Sequence, residues 1–190
     1  MMVIMRYPDG HKQEVRQRIV AAAAAALRAR GLAGVSIPEL MKEAGLTHGG
    51  FYTHFEDRDE LVADAITHAG DETAEAVFAG TTLEEMLGRY LSPEHLGQPG
   101  HGCVVSALGT EGGKHSARVS SAFAHVARGL LRLVDAKISE ESSKRSKPIS
   151  DAALRLGATM VGAIVLGRLV DDAKLAERIL RVARASANAD

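Results

Sequence analysis

A chain of 190 residues with 46% hydrophobic and 25% charged side chains has the composition of a soluble globular protein, with enough length to bury a substantial core. Its 23 Lys and Arg against 24 Asp and Glu leave a formal charge of -1, which excludes a globally basic nucleic-acid coat but permits a local basic face. The single cysteine, Cys103, excludes an internal disulfide framework and fits a reducing, cytoplasmic compartment.

Residues 1–10 read as a loose arm. The apolar stretch at Met1 to Met5 is stopped by Arg6, Pro8, Asp9 and Gly10, too soon for a secretory leader. From about 12 to 30 the chain is alanine-rich with helical spacing, placing Val15, Ile19, Ala23 and Leu27 on one face. Gly31 and Gly34 end this helix. Ser36 is a good N-cap, and Glu39 three residues on completes a capping box; Pro38 is tolerated in the first turn. The second helix runs to about 44 with Ile37, Leu40 and Met41 inward. Gly45 suits a turn needing positive φ, and Thr47 can cap a third helix over 47–54. Phe51 and Phe55, four apart, face a core together, while His48, Tyr52 and Thr53 project elsewhere. Three short helices, the last two joined by a tight turn, make a helix-turn-helix, which places a short helix in a DNA major groove.

Asp57 can cap a longer fourth helix over about 58–79, striped by Leu61, Val62, Ala65, Ile66, Ala69 and Val77 and weakened by Gly70. Another helix spans about 83–91. Pro93, Gly97, Pro99, Gly100 and Gly102 then mark an irregular connection. Residues 103–108 are small and apolar. Helical spacing returns over about 116–141 through Val119, Phe123, Val126, Leu130, Val134 and Ile138, and 142–146 is a polar loop. Two last helices cover about 150–170 and from 171 or 172 to 185. The first is apolar on nearly all sides, which calls for two protein neighbours: its own core and a second subunit, or else the centre of a monomeric bundle. Its segment 156–167, bounded by Arg155 and Arg168, has twelve residues with three glycines and is too short to span a bilayer, so no membrane role is expected.

The run Ala44-Gly45-Leu46-Thr47, with Gly49, Phe51-Tyr52, His54-Phe55, and then Arg58, Asp59 and Leu61, resembles the helix-turn-helix of the TetR family of transcriptional regulators. The resemblance is specific over about 12–65 and architectural beyond. Gly102-Cys103-Val104-Val105 through Glu111 is similar to a glycine-cysteine stretch in many members. Two departures stand out: Arg58 occupies a place where the family usually has lysine, and Gly50 beside Gly49 lowers helix propensity by about 1 kcal/mol relative to alanine.

The resemblance implies an all-α fold, with a helix-turn-helix DNA-binding domain over 1–57 and a larger effector-binding and dimerisation domain over 58–190. It implies a homodimer built through the two C-terminal helices, bound to a palindromic double-stranded operator and released by an unidentified small molecule. Repression is the family habit, and activation uses the same parts. The expected DNA-binding residues are Ser36, Thr47, His48, Gly49, Gly50, Tyr52, Thr53, His54 and Arg58. His48, in the first turn of the recognition helix, is the base reader, against the alternative of a solvated histidine. Gly49 and Gly50 let the helix approach the groove closely. Tyr52 gives its hydroxyl to a phosphate, or else rims the small core. Thr53 and His54 end the helix, and Arg58 meets a phosphate or pairs with Glu56, Asp57 or Glu60.

The effector pocket implied by the family is assigned to Met86, Tyr90, Val104, Leu108, Phe123, Val126 and Leu130, residues that core packing explains equally well. Four per cent aromatic content without tryptophan argues against a large cage for a flat or cationic ligand. Tyr90, His95, His101, Glu111, His115 and His125 are possible polar anchors. Cys103 near His101 raises a nucleophile or redox reading, set against that of a small buried hydrophobe. No phosphate-binding loop, dinucleotide fingerprint or metalloprotease motif occurs, so no catalytic residue, metal or cofactor is expected. The competing function is a helical ligand-binding or scaffold protein without specific DNA recognition.

Overall fold

The structure is a computed structural model that describes residues 9–112, 115–139 and 148–186, the side chains of Asp9 and His48 excepted. Most of the expected arm, with Arg6, and the polar loop 142–146 lie outside the described residues. Helix α1 (Asp9–Arg30) carries the alanine-rich segment, and Val15, Ile19, Ala23, Ala24, Ala26 and Leu27 are its buried face. It ends where Gly31, at φ 84°, donates its N–H to the Leu27 carbonyl at 2.8 Å. Helix α2 (Ile37–Glu43) begins at Ser36, with the Glu39 carboxylate accepting both the Ser36 N–H at 2.8 Å and its hydroxyl at 2.6 Å. These contacts hold the Glu39 carboxyl below the ordinary range, the Ser36 hydroxyl contributing most.

The turn after α2 is fully hydrogen-bonded. Leu46 N–H reaches Met41 O at 2.8 Å and Gly45 N–H reaches Lys42 O at 3.0 Å, the paired bonds of a Schellman ending. Gly45 sits at φ 74°, a conformation that a side chain makes costly. The next segment is not one continuous helix. His48–Gly50 forms a 3-10 turn, with Gly50 N–H on Thr47 O at 3.2 Å, and only α3 (Phe51–His54) is α-helical. The cap of that α-helical turn is Gly50 rather than Thr47. Two adjacent glycines explain the tighter winding, since neither contributes helix propensity.

Asp57 caps α4 (Arg58–Thr73) by accepting the Glu60 N–H at 2.8 Å. Leu61, Val62, Ala65, Ile66 and Ala69 are buried with α1 and the phenylalanines of the helix-turn-helix. A Cβ on Gly70 would lie 2.8 Å from Val126 Cγ1, so its lack of a side chain permits the close packing of α4 on α8 (Ala117–Ser139). The expected single helix to 79 instead widens into a π turn over Ala74–Phe78, closed by Ala79 N–H on Ala74 O at 3.1 Å.

Thr82 and Glu85 cap α5 (Leu83–Tyr90) reciprocally, the Thr82 N–H reaching Glu85 at 2.8 Å and the Glu85 N–H reaching Thr82 at 3.2 Å. The connection read as irregular contains α6 (Pro93–Gly97) and a 3-10 turn over Pro99–His101, followed by α7 (Val104–Leu108). Helix α9 (Asp151–Leu169), capped by Ser150, packs on α8, and α10 (Ala173–Ala185), capped by Asp172, packs back on α9. By length and composition alone α9 could cross a membrane, longer than the expected run because apolar residues lie beyond Arg155 and Arg168. Its inner face, Ala153, Leu156, Gly157, Met160 and Ile164, is nonetheless buried in the second core, with Met86, Tyr90, Leu91 and Val134. Leu154, Leu166 and Leu169 of α9 are exposed, as are Leu175 and Val182 of α10.

Gly45→Ala is expected to cost about 1–2 kcal/mol through the positive φ alone, lowering the melting temperature by roughly 2–8 °C. Thermal unfolding followed by circular dichroism checks this, and an unchanged midpoint would mean that the turn relaxes. Glu39→Ala, which removes the acceptor of both Ser36 bonds, is expected to lower the melting temperature by less than Gly45→Ala in the same assay.

Candidate nucleic-acid interface and cavity

The helix-turn-helix is supported from beneath by two phenylalanines. Phe51 and Phe55 are buried and stacked, ring centroids 5.5 Å apart, with the Arg16 guanidinium 4.6 Å from the centre of the Phe55 ring. That foundation turns the other face of α3 outward. Tyr52 is 69% exposed, an unusual position for a large aromatic, and Thr53 beside it is also exposed. Thr47, Gly49 and Ser36 lie at the surface and Gly50 is half-buried, whereas the His48 side chain lies outside the described residues. The Ser36 hydroxyl already donates to Glu39, so any phosphate contact from it competes with the cap.

His54 closes this face. Its carbonyl accepts from Arg16 Nε at 3.3 Å, and its Nδ1 is buried without a partner. Burial, then the nearby charges of Lys12 and Arg16, hold the imidazole below its ordinary pKa, so it is neutral at pH 7. Lys12, exposed, brings positive charge near the end of α3, whereas Arg16 is paired with Glu60 and Asp64.

Arg58 takes a different place from either sequence alternative. Its guanidinium donates to the carbonyls of Leu32 and Val35, the latter at 3.2 Å, and so staples the link between α1 and α2. The acids it was expected to pair with are engaged elsewhere: Glu60 with Arg16 at 2.9 Å, and Glu56 and Asp57 with Arg118 at 3.4 and 3.5 Å. Sequence spacing alone carries no signal for these contacts, because the partners lie far apart in the chain.

Between α4, α7 and α8 lies a cavity of about 390 Å³. Val104, Val126 and Leu130 line it, with Phe78, Leu133, Thr73 and Cys103, and Asp71, His125 and Arg132 stand at the exposed rim. Met86, Tyr90, Leu108 and Phe123 are off its wall, packed in the two cores. Large side chains from a helix stripe fill the interior first, and space remains beside Gly129, where an added Cβ would meet nothing within 4 Å. Cys103 is buried, as the small-hydrophobe reading expected. Among the described residues no group of three His, Cys, Asp or Glu could hold a metal ion.

His95 is the second histidine held neutral, by burial first and then by the charges of Arg168 and Arg28, although its bond to the Tyr90 carbonyl opposes them. The fold favours the uncharged ring at both His54 and His95, so their contribution to stability is complete above the ordinary histidine value of 6.5 and is lost as pH falls below it. Glu39, Glu60 and Glu85, all held below 4.5, stay ionised through that window. Urea unfolding is therefore expected at lower denaturant at about pH 5.5 than at about pH 7.5, with a smaller difference in His95→Phe. An equal pH dependence in the variant would contradict the assignment of that loss to His95.

Comparison with known proteins places this geometry. Residues 19–65 match the model of the bacterial regulatory proteins of the tetR family. An uncharacterized HTH-type transcriptional regulator of Mycobacterium tuberculosis (strain ATCC 25618 / H37Rv) is 25% identical over 169 residues, 84% of this chain and 87% of the relative. The reduced form of NemR from E. coli superimposes with a TM-score of 0.72 at 22% identity, covering 93% of this chain and 96% of that one. AibR, solved in complex with isovaleryl coenzyme A and operator DNA, shares the fold with a TM-score of 0.62 at 14% identity, over 90% of this chain and 97% of its own. The tetR-family model matched over 19–65, the stacked phenylalanines beneath it and a larger helical bundle of the same architecture give this chain the fold shared by TetR-family regulators.

Proposed function

We propose that this protein is a homodimeric, cytoplasmic repressor that reads a palindromic operator and leaves it when a small molecule occupies the cavity between α4, α7 and α8. Residues 1–57 serve as the DNA-reading part and 58–190 as the effector and dimerisation part. The observation that carries the reading is the outward face of α3: an exposed Tyr52 and Thr53, backed by buried phenylalanines and flanked by Lys12 and Arg16. Tyr52 meets the core through an edge contact with the Phe51 ring, centroids 5.1 Å apart, and its exposed remainder suits phosphate and base edges.

His48 is assigned to base reading. Thr47, Gly49, Gly50, Tyr52, Thr53 and His54 form the contact surface, with the Tyr52 hydroxyl on a phosphate. His54, being neutral, offers a ring N–H to a phosphate oxygen without a charge. Ser36 and Arg58 act mainly by holding α2 in place beneath α3, through the cap and the carbonyl staple. The dimer is built by the exposed leucines of α9 with Leu175 and Val182 of α10, an apolar strip that water would otherwise cover. In a two-fold dimer the recognition helices would meet half-sites about 34–36 Å apart or a multiple of that. The cavity, largely apolar with Asp71, His125 and Arg132 at its mouth, suits a small molecule with an apolar body and one polar end. That AibR, of the same fold, was solved with both a ligand and operator DNA supports a protein of this architecture holding both.

Selection of bound fragments from the source genome by the purified protein, at about 0.15 M salt, tests this. A palindromic site is expected. Tyr52→Phe should weaken binding about 5-fold, the worth of one hydrogen bond of about 1 kcal/mol. Arg58→Ala should weaken it on every sequence alike, and His48→Ala should relax the preference at one position in each half-site. Recovery of no enriched site by wild type or variants would favour a ligand-binding or scaffold protein instead.

A further inference from the structure

Two arginines far apart in the sequence grip one short segment. Arg28, in the last turns of α1, has a side chain only 1% exposed. Its Nε donates to Ala24 O at 3.0 Å, Nη1 to Gly102 O at 3.0 Å, and Nη2 to Glu72 of α4 at 2.6 Å. Arg168, in the last turn of α9, donates from Nε to Leu96 O at 3.1 Å and from Nη2 to His95 O at 3.0 Å. Neither bond pattern is a surface ion pair. Each guanidinium spends donors on main-chain carbonyls, which fixes backbone rather than side chains.

Between the two arginines stands the His95 ring. Its Nε2 accepts the Cys103 N–H at 2.8 Å, so the proton resides on Nδ1 and is donated to Tyr90 O at 2.5 Å. A Cβ on Gly102 would fall 2.6 Å from His95 Cδ2 and 3.1 Å from Arg168 Nη2, so a bare glycine is what lets the ring and the strand close together. Gly100 lies on α1 itself, where a Cβ would come 3.3 Å from Ala25 O. Residues 95–103 are thus a strap with one end on α9, the middle along α1, and Cys103 in the cavity wall.

We propose that this strap is the element that carries occupancy of the cavity to the DNA-reading helices, with Arg28 as its receiving residue and Arg168 as its anchor. The inference rests on the regulator reading above. A ligand that displaces Cys103 moves the adjacent Gly102 carbonyl. Arg28 is too buried to exchange that partner for water, so α1 and Glu72 of α4 must follow. Arg28 and Arg168 are positioning residues: they touch neither ligand nor DNA.

Hydrogen exchange of the full chain, followed by mass spectrometry without DNA or effector, tests the strap apart from the function. Arg168→Gln should speed exchange at least about 10-fold over 95–103 and also over 24–30 of α1, while α10 stays unchanged. In an Arg28→Gln background the same substitution should still loosen 95–103 but add nothing in α1. Cys103→Met, which enlarges the cavity wall, should reproduce the α1 response with both arginines intact. If Arg28→Gln does not fold, Arg28→Lys, which keeps the charge but loses the fork, serves in its place. An α1 response that is absent in Arg168→Gln, or that simply adds to that of the Arg28 variant, would overturn the proposal. Failure to find an operator would leave this exchange result intact, and failure of the strap would leave the operator result intact.

Discussion

Helix α4 is the constraint on which the rest of the molecule depends. Its first turns bury Leu61, Val62 and Ile66 against α1 and the phenylalanines of the helix-turn-helix, and Gly70 lies close against Val126 of α8. One rigid rod therefore serves both the outward face of α3 and the wall of the cavity. Its C-terminal end loosens into the π turn at 74–78, where Phe78 and Ala74 border the cavity. In the proposed regulator, a helix fixed at its first turn by the Asp57 cap and widened at the other end is the element that would shift without unfolding.

Polar contacts between the two halves make that shift consequential. Glu111, before α8, accepts the Leu32 N–H at 3.0 Å; Arg118 pairs with Glu56 and Asp57; Arg28 holds Gly102 and Glu72. With a formal charge of -1 the chain has no general attraction for DNA, and many of its cations are engaged within the fold. The proposed function therefore assigns affinity to a local surface, Tyr52, Thr53, Lys12 and the ends of α3. Recognition by a few aligned groups is more sequence-dependent than recognition by bulk charge.

Helix ends were the most legible part of the sequence. Ser36, Asp57, Thr82, Ser150 and Asp172 all cap helices, and caps act within three residues, so sequence reading captured those of Ser36, Asp57 and the start of α9 directly. The Gly45 turn and the buried Phe51 and Phe55 were legible for the same reason: they are short-range events. The 3-10 turn at His48–Gly50 and the π turn were not, because periodicity does not register one residue more or less per turn. Arg58 was read as a surface cation because its carbonyl partners lie more than twenty residues away. The cavity was only half legible. Val104, Val126 and Leu130 line it, yet Met86 and Tyr90 have the same pattern and are filled core.

The most direct measurement is a hydroxyl-radical footprint of the full chain on a genomic duplex that it selects. Two protected patches on one face of the duplex, related by two-fold symmetry and separated by whole turns of about 10–10.5 base pairs, are expected for a dimer presenting two α3 helices. A single patch, an unphased separation or uniform weak protection would contradict a dimer that reads DNA through α3.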